Sequence, residues 1–310
     1  MLRRSVLSLP LGLPFTVLAR AGMDWSRISV LTDEVATSPE DAIAFAKQYA
    51  LRWVELRDVP GERGQRRPYM TLTEAELLQH ARQLKAAGLK VSFFNTGMLK
   101  FSLPDTEPVR RTPETPEQKK ARVERDTARF ETRMEALAKA IQAAKIFEVD
   151  KVRIFAFSRI AEPASLFPRI AGIINEMAPE AKRAGVQLLL ENEGSCNVAT
   201  CEEIKGLLDL VPSPSVGINW DPVNELNRKQ SPYPEGYALL PKKRIANVQM
   251  KAQALVIGPE FLPWGAIFES LIKDGYPGKV GLETHVFDGT LIEKAHLCMK
   301  EIQKLTGQNG

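Results

Sequence analysis

Gly185-Val186-Gln187-Leu188-Leu189-Leu190-Glu191-Asn192-Glu193-Gly194 is a continuous apolar run that stops abruptly on acids. It is too short for a buried helix and is bounded by glycines, so it reads as a strand covered on both faces, as in a parallel sheet. Three other stretches repeat the arrangement: Ser215 to Asn224, Ile245 to Ala252 and Lys279 to Val286. In a parallel barrel the C-terminal strand ends converge on one mouth, where polar residues carry the chemistry. Glu191, Asp221, Gln249 and Glu283 are therefore the candidate centre.

On the N-terminal side of that strand, Arg27 to Val35 forms a first strand ending on Asp33 and Glu34. Ser38 then caps a helix with Pro39 at its first position. Trp53 to Val59 is a second strand, and Thr73-Glu74-Ala75-Glu76 opens the next helix as a capping box. Leu89 to Thr96 follows as a strand. The connection Gly97 to Thr115, with prolines at 104, 108 and 113, is long enough to predict a lid or binding loop. Glu117 to Phe147 reads as one long charged helix. Lys151 to Ser158 is a strand, and Ser165 to Ala184 the helix that leads into the central run.

Beyond it, Thr200-Cys201-Glu202-Glu203 is a second capping box, Val216 to Trp220 a strand, and Gln230 to Tyr237 a loop rich in proline and tyrosine. Ile245 to Ala252 and Lys279 to His285 are the last strands, with helices at Trp264 to Asp274 and Thr290 to Leu305. Strand and helix thus alternate eight times without a linker. That pattern allows a closed barrel or an open doubly wound sheet. Eight repeats and acids on several non-adjacent strands favour a single-domain α/β fold, the (β/α)8 TIM barrel. No glycine-rich phosphate-binding motif follows the early strands, which counts against a Rossmann or P-loop fold.

The composition suits a globular chain: 310 residues, 26% charged and 44% hydrophobic, with a formal net charge of +4. No basic tract interleaved with aromatics points to nucleic acid. Residues 1 to 21 have the layout of an export signal, with Arg3-Arg4 before an apolar segment and Ala19-Arg20-Ala21 at the end, and Leu2 to Leu7 is of twin-arginine type. Cleavage after Ala21 removes Arg3, Arg4 and Arg20 and takes the charge from +4 to +1. The mature barrel is then 22–310, in the periplasm or outside the cell; read instead as a basic tail, residues 1 to 21 leave the protein in the cytoplasm. No later stretch approaches the roughly 20 apolar residues of a membrane span. Cys196 and Cys201 lie close enough in sequence to pair in an oxidising compartment, and otherwise are small buried residues.

Three carboxylates and an amide oxygen are hard donors that suit a divalent ion such as Mn, Mg, Co or Zn. Packed together without one, the acids would repel each other and lose hydration. Residues two apart on a strand share a face, so Lys251 accompanies Gln249, His285 accompanies Glu283 and Asn219 accompanies Asp221. The competing reading is that these charges close strand ends and pair with one another. Glu55, Arg57, Asn95, Arg153, Trp220 and Asn224 are substrate-contact candidates from their strand-end positions. His80 and His296 fall in helix patterns and suit surface or packing roles.

The segments VELRDV, KVRIFAFS, LLLENEG, GINWDPVN, PYPEGY, NVQMKA and GLETH, in this order, resemble the xylose isomerase-like barrel superfamily of sugar phosphate isomerases and epimerases. The resemblance implies a divalent ion held by Glu191, Asp221, Gln249 and Glu283. It also implies that Glu191 and Glu283 act as an acid/base pair on opposite faces of a keto sugar, with an enediolate between. The chain departs from the pattern at Gln249, where the family usually has His in a motif like H-x-K-D that here reads Gln249-Met250-Lys251-Ala252. It departs again at Asn224, where epimerases often carry a substrate-contacting His.

The leading expectation is a metal-dependent isomerase or epimerase of a carbohydrate, with a homo-oligomer possible. A lyase or dehydratase acting on an oxidised sugar or glycoside is a second, and a non-catalytic sugar-binding protein a third. With three histidines in the chain, the resemblance does not extend to the superfamily's zinc-cluster endonucleases.

Overall fold

The computed structural model describes residues 23–308 apart from 63, 253–255 and 259. The expected export signal at 1–21 lies outside the described residues. Eight parallel strands close into a barrel: β1 (Ile28–Leu31), β2 (Trp53–Leu56), β3 (Lys90–Met98), β4 (Lys151–Ile154), β5 (Gln187–Glu191), β6 (Val216–Trp220), β7 (Ile245–Lys251) and β8 (Lys279–Glu283). Each strand pairs with its sequence neighbours, and β1 pairs with β8 to close the ring. A two-stranded hairpin, Asp58–Val59 with Arg67–Pro68, stands outside it.

Alternation along the strands decides what faces what. Leu188 and Leu190, Ile218 and Trp220, Val248 and Met250, and Val280 and Leu282 join the apolar core between strands and helices. The residues between them, Glu191, Asn219, Asn247, Gln249, Lys251, Gly281 and Glu283, are left for the barrel interior. Trp220, expected as a substrate contact, is thereby corrected. Its ring is fully buried against Tyr237, with centroids 5.2 Å apart, one residue out of phase with the interior.

Thr73, Thr115 and Thr200 each accept a backbone N–H three residues on, while Glu76, Gln118 and Glu203 return the bond. These three capping boxes satisfy orphan donors where helices begin, each worth about 1 kcal/mol. Ser38 caps Pro39–Gln48 as the sequence indicated. The single helix expected over Glu117 to Phe147 is two, Pro116–Glu131 and Arg133–Ile146. Thr132 separates them, its hydroxyl donating to the Ala128 carbonyl at 2.9 Å, a back-bond that bends helices.

The first strand is also shorter than expected. After Leu31 the chain enters a 3₁₀ turn, Thr32–Glu34, which brings Asp33 and Glu34 against Arg57. The long connection after β3 packs down. Leu99, Phe101 and Leu103 are buried, Ser102 N–H donates to Asp126 at 3.0 Å, and Val109 N–H to the Arg159 carbonyl at 2.7 Å. Cys196 and Cys201 are separate buried thiols rather than a disulfide. Among the described residues, no helix is long and apolar enough to cross a membrane.

Candidate active site at the C-terminal mouth

A cavity of about 500 Å³ opens at the C-terminal ends of the strands. Arg57, Asn95, Arg153, Glu191, Lys251, Glu283 and His285 line it, as do Glu193, Lys100 and Phe155. Asp221 and Gln249 lie deeper, both fully buried. Asn224 is buried beside Lys251, donating its amide to the Asn192 carbonyl at 2.7 Å and accepting from Lys251 Nζ at 2.9 Å. It therefore orients the lysine, whereas the sequence reading placed it against substrate. Glu55, another expected contact, is withdrawn from the cavity into the barrel interior with no exposed surface. It accepts from Ser29 Oγ at 3.1 Å, Asn95 Nδ2 at 3.0 Å and Asn247 Nδ2 at 3.2 Å.

Each mouth carboxylate faces a cation of the chain. Arg153 donates to Glu191 Oε2 at 3.0 Å, Lys251 Nζ lies 2.7 Å from Asp221 Oδ2, and Arg57 donates to Glu283 Oε1 at 3.0 Å. Lys251 also stands 3.6 Å from Glu283 Oε2, and His285 Nδ1 3.4 Å from Glu283 Oε1. Arg57 is a hub, pairing with Asp33 and Glu34 as well. To this extent the charges close strand ends and pair with one another.

Burial and pairing compete at every group. Burial alone would raise Glu283, but Lys251, His285 and Arg57 outweigh it and hold this carboxyl well below the usual range. Burial would lower Lys251, but Asp221, Glu283, Glu191 and Glu193 outweigh it and raise the ammonium further. At Asp221 the balance differs. Burial, opposed by Lys251 and reinforced by Glu283 and Glu191, leaves its carboxyl up at about 7. An acid 2.7 Å from a lysine that still binds protons so readily is short of positive charge.

That shortage bears on whether a metal suits the site. Gln249 Oε1 is buried without a hydrogen-bond partner, and Asp221 Oδ2 and Glu283 Oε2 are buried with the Lys251 ammonium between them. They are hard oxygens on three adjacent strands, the donor chemistry of a divalent ion. The glutamine amide thus offers an unclaimed oxygen at the position where the resembled family usually has an imidazole. The set is not drawn into a coordination sphere, because Lys251 lies between Asp221 and Glu283. Among the described residues, Glu34, Glu283 and His285 are the acidic or imidazole groups whose ligand atoms come within 4.8 Å of one another. Arg57 already occupies that trio by pairing with both of its carboxylates. The donor chemistry at Asp221, Gln249 and Glu283 fits a divalent cation, with Lys251 holding that place as Arg57 holds the trio.

Several contributors escaped the sequence reading. Asn247 belongs to the interior row two residues below Gln249, a position the same alternation argument would have found. Lys100, Arg129, Thr132 and Arg133 line the outer cavity from the β3 connection and the helix break. Lys100 Nζ lies 4.6 Å from the Phe155 ring centroid, Arg129 4.7 Å from that of Phe101, and Arg133 4.4 Å from that of Phe130. Cations held over aromatic faces gain about 0.5–1 kcal/mol and lose freedom to swing away. His285 has a left-handed backbone, φ 50°, and its N–H donates to Glu34 at 2.8 Å.

A model of the xylose isomerase-like TIM barrel family matches residues 43–302 of the chain. No curated protein sequence matches it. Among solved structures, the chain is similar to the IOLI protein with a bound zinc atom, at 13% identity and TM-score 0.68, covering 91% of this chain and 98% of that one. D-allulose 3-epimerase from Methylomonas sp. in complex with D-allulose is 14% identical with TM-score 0.66, covering 93% and 99%. The probable 3-DHS dehydratase AsbF from Bacillus anthracis, involved in petrobactin synthesis, is 17% identical with TM-score 0.62, covering 89% and 98%.

Proposed function

The chain belongs to the xylose isomerase-like TIM barrel family, and on that premise we propose that it is a divalent-metal-dependent isomerase or epimerase of a sugar or keto sugar, working by proton transfer through an enediolate. The observation that carries this reading is the set of three buried hard oxygens, Asp221 Oδ2, Gln249 Oε1 and Glu283 Oε2, served by a single lysine, beneath a cavity lined by Glu191 and Glu283. With Glu191, these residues would hold the ion. A divalent cation supplies a Lewis acid for a substrate carbonyl and its neighbouring hydroxyl.

The rest falls to the protein. Glu283 lines the cavity and would take a proton from carbon, and Lys251, His285 and Arg57 keep it ionised against its burial while weakening it as a base. Glu191, clamped by Arg153 at 3.0 Å, faces the cavity from another strand and returns a proton. Lys251 reaches the cavity with its charge secured and binds a substrate oxygen as negative charge develops there. Arg57 restrains Glu283, and His285 stands beside that carboxylate as a donor to substrate hydroxyls.

The cation-rich outer wall favours a second reading, a lyase acting on an oxidised sugar or glycoside. Arg129, held over Phe101 beside Lys100 and Arg133, which pair with Glu193 and Glu176, suits a substrate bearing an acidic group. The chemistry begins with the same proton abstraction and ends by expelling a β-substituent. Residues 1–21 would direct the protein to export through their twin-arginine pattern, which agrees with a free or oxidised sugar. Fractionation of cells expressing the full chain tests that step.

Metal analysis of the purified protein beside a Glu191→Gln/Glu283→Gln variant tests the main reading. About one equivalent of ion in the parent and none in the variant is expected, with deuterium entering a keto sugar from heavy water. Exchange without loss of a substituent marks the isomerase, and loss of a substituent the lyase. A parent that stays metal-free after reloading with Mn, Co, Zn and Mg overturns both and leaves the sugar-binding alternative.

A further inference from the structure

Glu55 lies inside the barrel beneath the candidate centre, withdrawn from the cavity and fully buried. We infer that Glu55 is a positioning residue that sets the placement of Glu191 and Gln249 together, through the chain of amides Asn247 and Asn219 on one side and directly on the other. This inference rests on the reading of Glu191 and Gln249 as metal-holding residues, and it assigns the reason why they hold their orientation.

The geometry is a directed chain of hydrogen bonds. Asn247 Nδ2 donates to Glu55 Oε1 at 3.2 Å and to Asn219 Oδ1 at 2.9 Å. Asn219 Nδ2 then donates to Glu191 Oε2 at 2.5 Å. Glu191, Asn219 and Asn247 stand in one register row across β5, β6 and β7, so side chains on that row meet without a detour. Burial pushes the Glu55 carboxyl up to about 7 against the bonds of Asn95, Asn247 and Ser29, and in the structure it only accepts, whereas each amide has one donating and one accepting end. Glu55 therefore dictates polarity. It draws the Asn247 amino group inward, which presents that group to the Asn219 oxygen and leaves the Asn219 amino group for Glu191.

The same carboxylate acts on Gln249, whose side-chain amide is among the groups that lower Glu55 and, facing a carboxylate, does so through its nitrogen. That nitrogen also lies 3.5 Å from the Gly281 carbonyl, and the amide oxygen is left buried and unpartnered. With the nitrogen held from below, the oxygen is the end available to a cation. The preference is strong enough to strand other oxygens. Asn95 Oδ1 and Asn247 Oδ1 are also buried without a donor, while both nitrogens go to Glu55.

Space for the carboxylate is provided by Gly281 on β8. A Cβ there would lie 2.0 Å from Glu55 Oε1, so any other residue would have to displace the carboxylate. Outer groups that orient metal ligands typically matter 10–100-fold in affinity.

The test is Mn(II) titration calorimetry on the parent and on Glu55→Gln, with thermal melting as the control for folding. A roughly 10–100-fold weaker affinity in a variant that still melts cooperatively is expected. Should Glu55→Gln fail to fold, Asn219→Ala cuts the same bridge to Glu191 and is expected to weaken Mn(II) binding in the same range. Crystal structures of the metal-free parent and variant provide a readout independent of the ion. The Glu191 carboxylate is expected to leave its place beside Asn219, and the Gln249 amide to leave its place over Glu55.

Unchanged affinity together with unmoved Glu191 and Gln249 overturns the inference. A parent that binds no Mn(II) overturns the metal reading instead, and the metal-free structures then decide the role of Glu55 alone.

Discussion

The Lys251 ammonium lies 2.7 Å from Asp221 Oδ2 and 3.6 Å from Glu283 Oε2, so a cation of the chain stands between two carboxylates expected to hold a metal. Lys251 and a divalent ion therefore compete for the same oxygens. Removing one partner of a buried pair leaves uncompensated charge and destabilises by about 3–5 kcal/mol. Lys251→Met is expected to lower the melting temperature of the metal-free protein. Added Mn(II) should then raise that temperature by more than it raises the parent's. An equal metal-induced rise in both proteins would show that Lys251 and the ion do not share the site.

Gly281→Ala tests the fit beside Glu55 from β8, which lies across β1 from β2. The new methyl would meet Glu55 Oε1 at 2.0 Å, in an interior already filled by Ser29, Asn95 and Asn247. Overpacking of this kind destabilises by about 1–3 kcal/mol. Urea unfolding should show a lower midpoint at unchanged slope. An unchanged midpoint would mean that the barrel interior yields at this point.

Away from the mouth, Glu225 is 4% exposed, and burial raises its carboxyl above the ordinary range, against hydrogen bonds from Cys201 that lower it. Its affinity for protons is thus higher in the folded chain than in the unfolded one. Where the folded state binds more protons, stability falls as pH rises. The contribution is complete below the usual carboxyl pKa and lost as pH climbs through the raised folded value. Glu225→Gln should flatten that part of the stability profile. Parallel profiles for parent and variant, followed by melting at stepped pH, would contradict the assignment.

Among the described residues, Arg129 is a cavity-lining cation for which we see no ion pair, and its guanidinium is stacked over Phe101. Arg129→Ala is expected to weaken binding of a hexuronate by about tenfold, the scale of one charge-assisted hydrogen bond. Binding of the corresponding neutral hexose should not change. Calorimetry with both sugars on the metal-loaded protein reads the difference. Equal loss for both would assign Arg129 to shaping the wall rather than to charge recognition.

The barrel was legible because it is written in short-range patterns. Buried parallel strands need continuous apolar runs such as Leu188 to Leu190, and helix starts need caps such as Thr73 with Glu76 and Thr200 with Glu203. The break at Thr132 was not legible, because a threonine inside a charged helical stretch has the same periodicity whether or not it bends the chain. Nor was Trp220 placed correctly, although the alternation that set Asn219 with Asp221 already put its ring on the opposite face.

By itself, then, the sequence determined eight strands and the acids, amide, lysine and histidine at their C-terminal ends, since strand period and apolar runs are local properties. Only the tertiary structure decided which of those groups meet. Closing the ring placed Lys251 between Asp221 and Glu283, drew Arg57 from the end of β2 to Glu283 on β8, and linked Glu55 to Glu191 through amides on β7 and β6. Such pairings join residues up to 226 positions apart, as in Arg57 and Glu283. Register around a closed sheet sets them, and no local pattern records it.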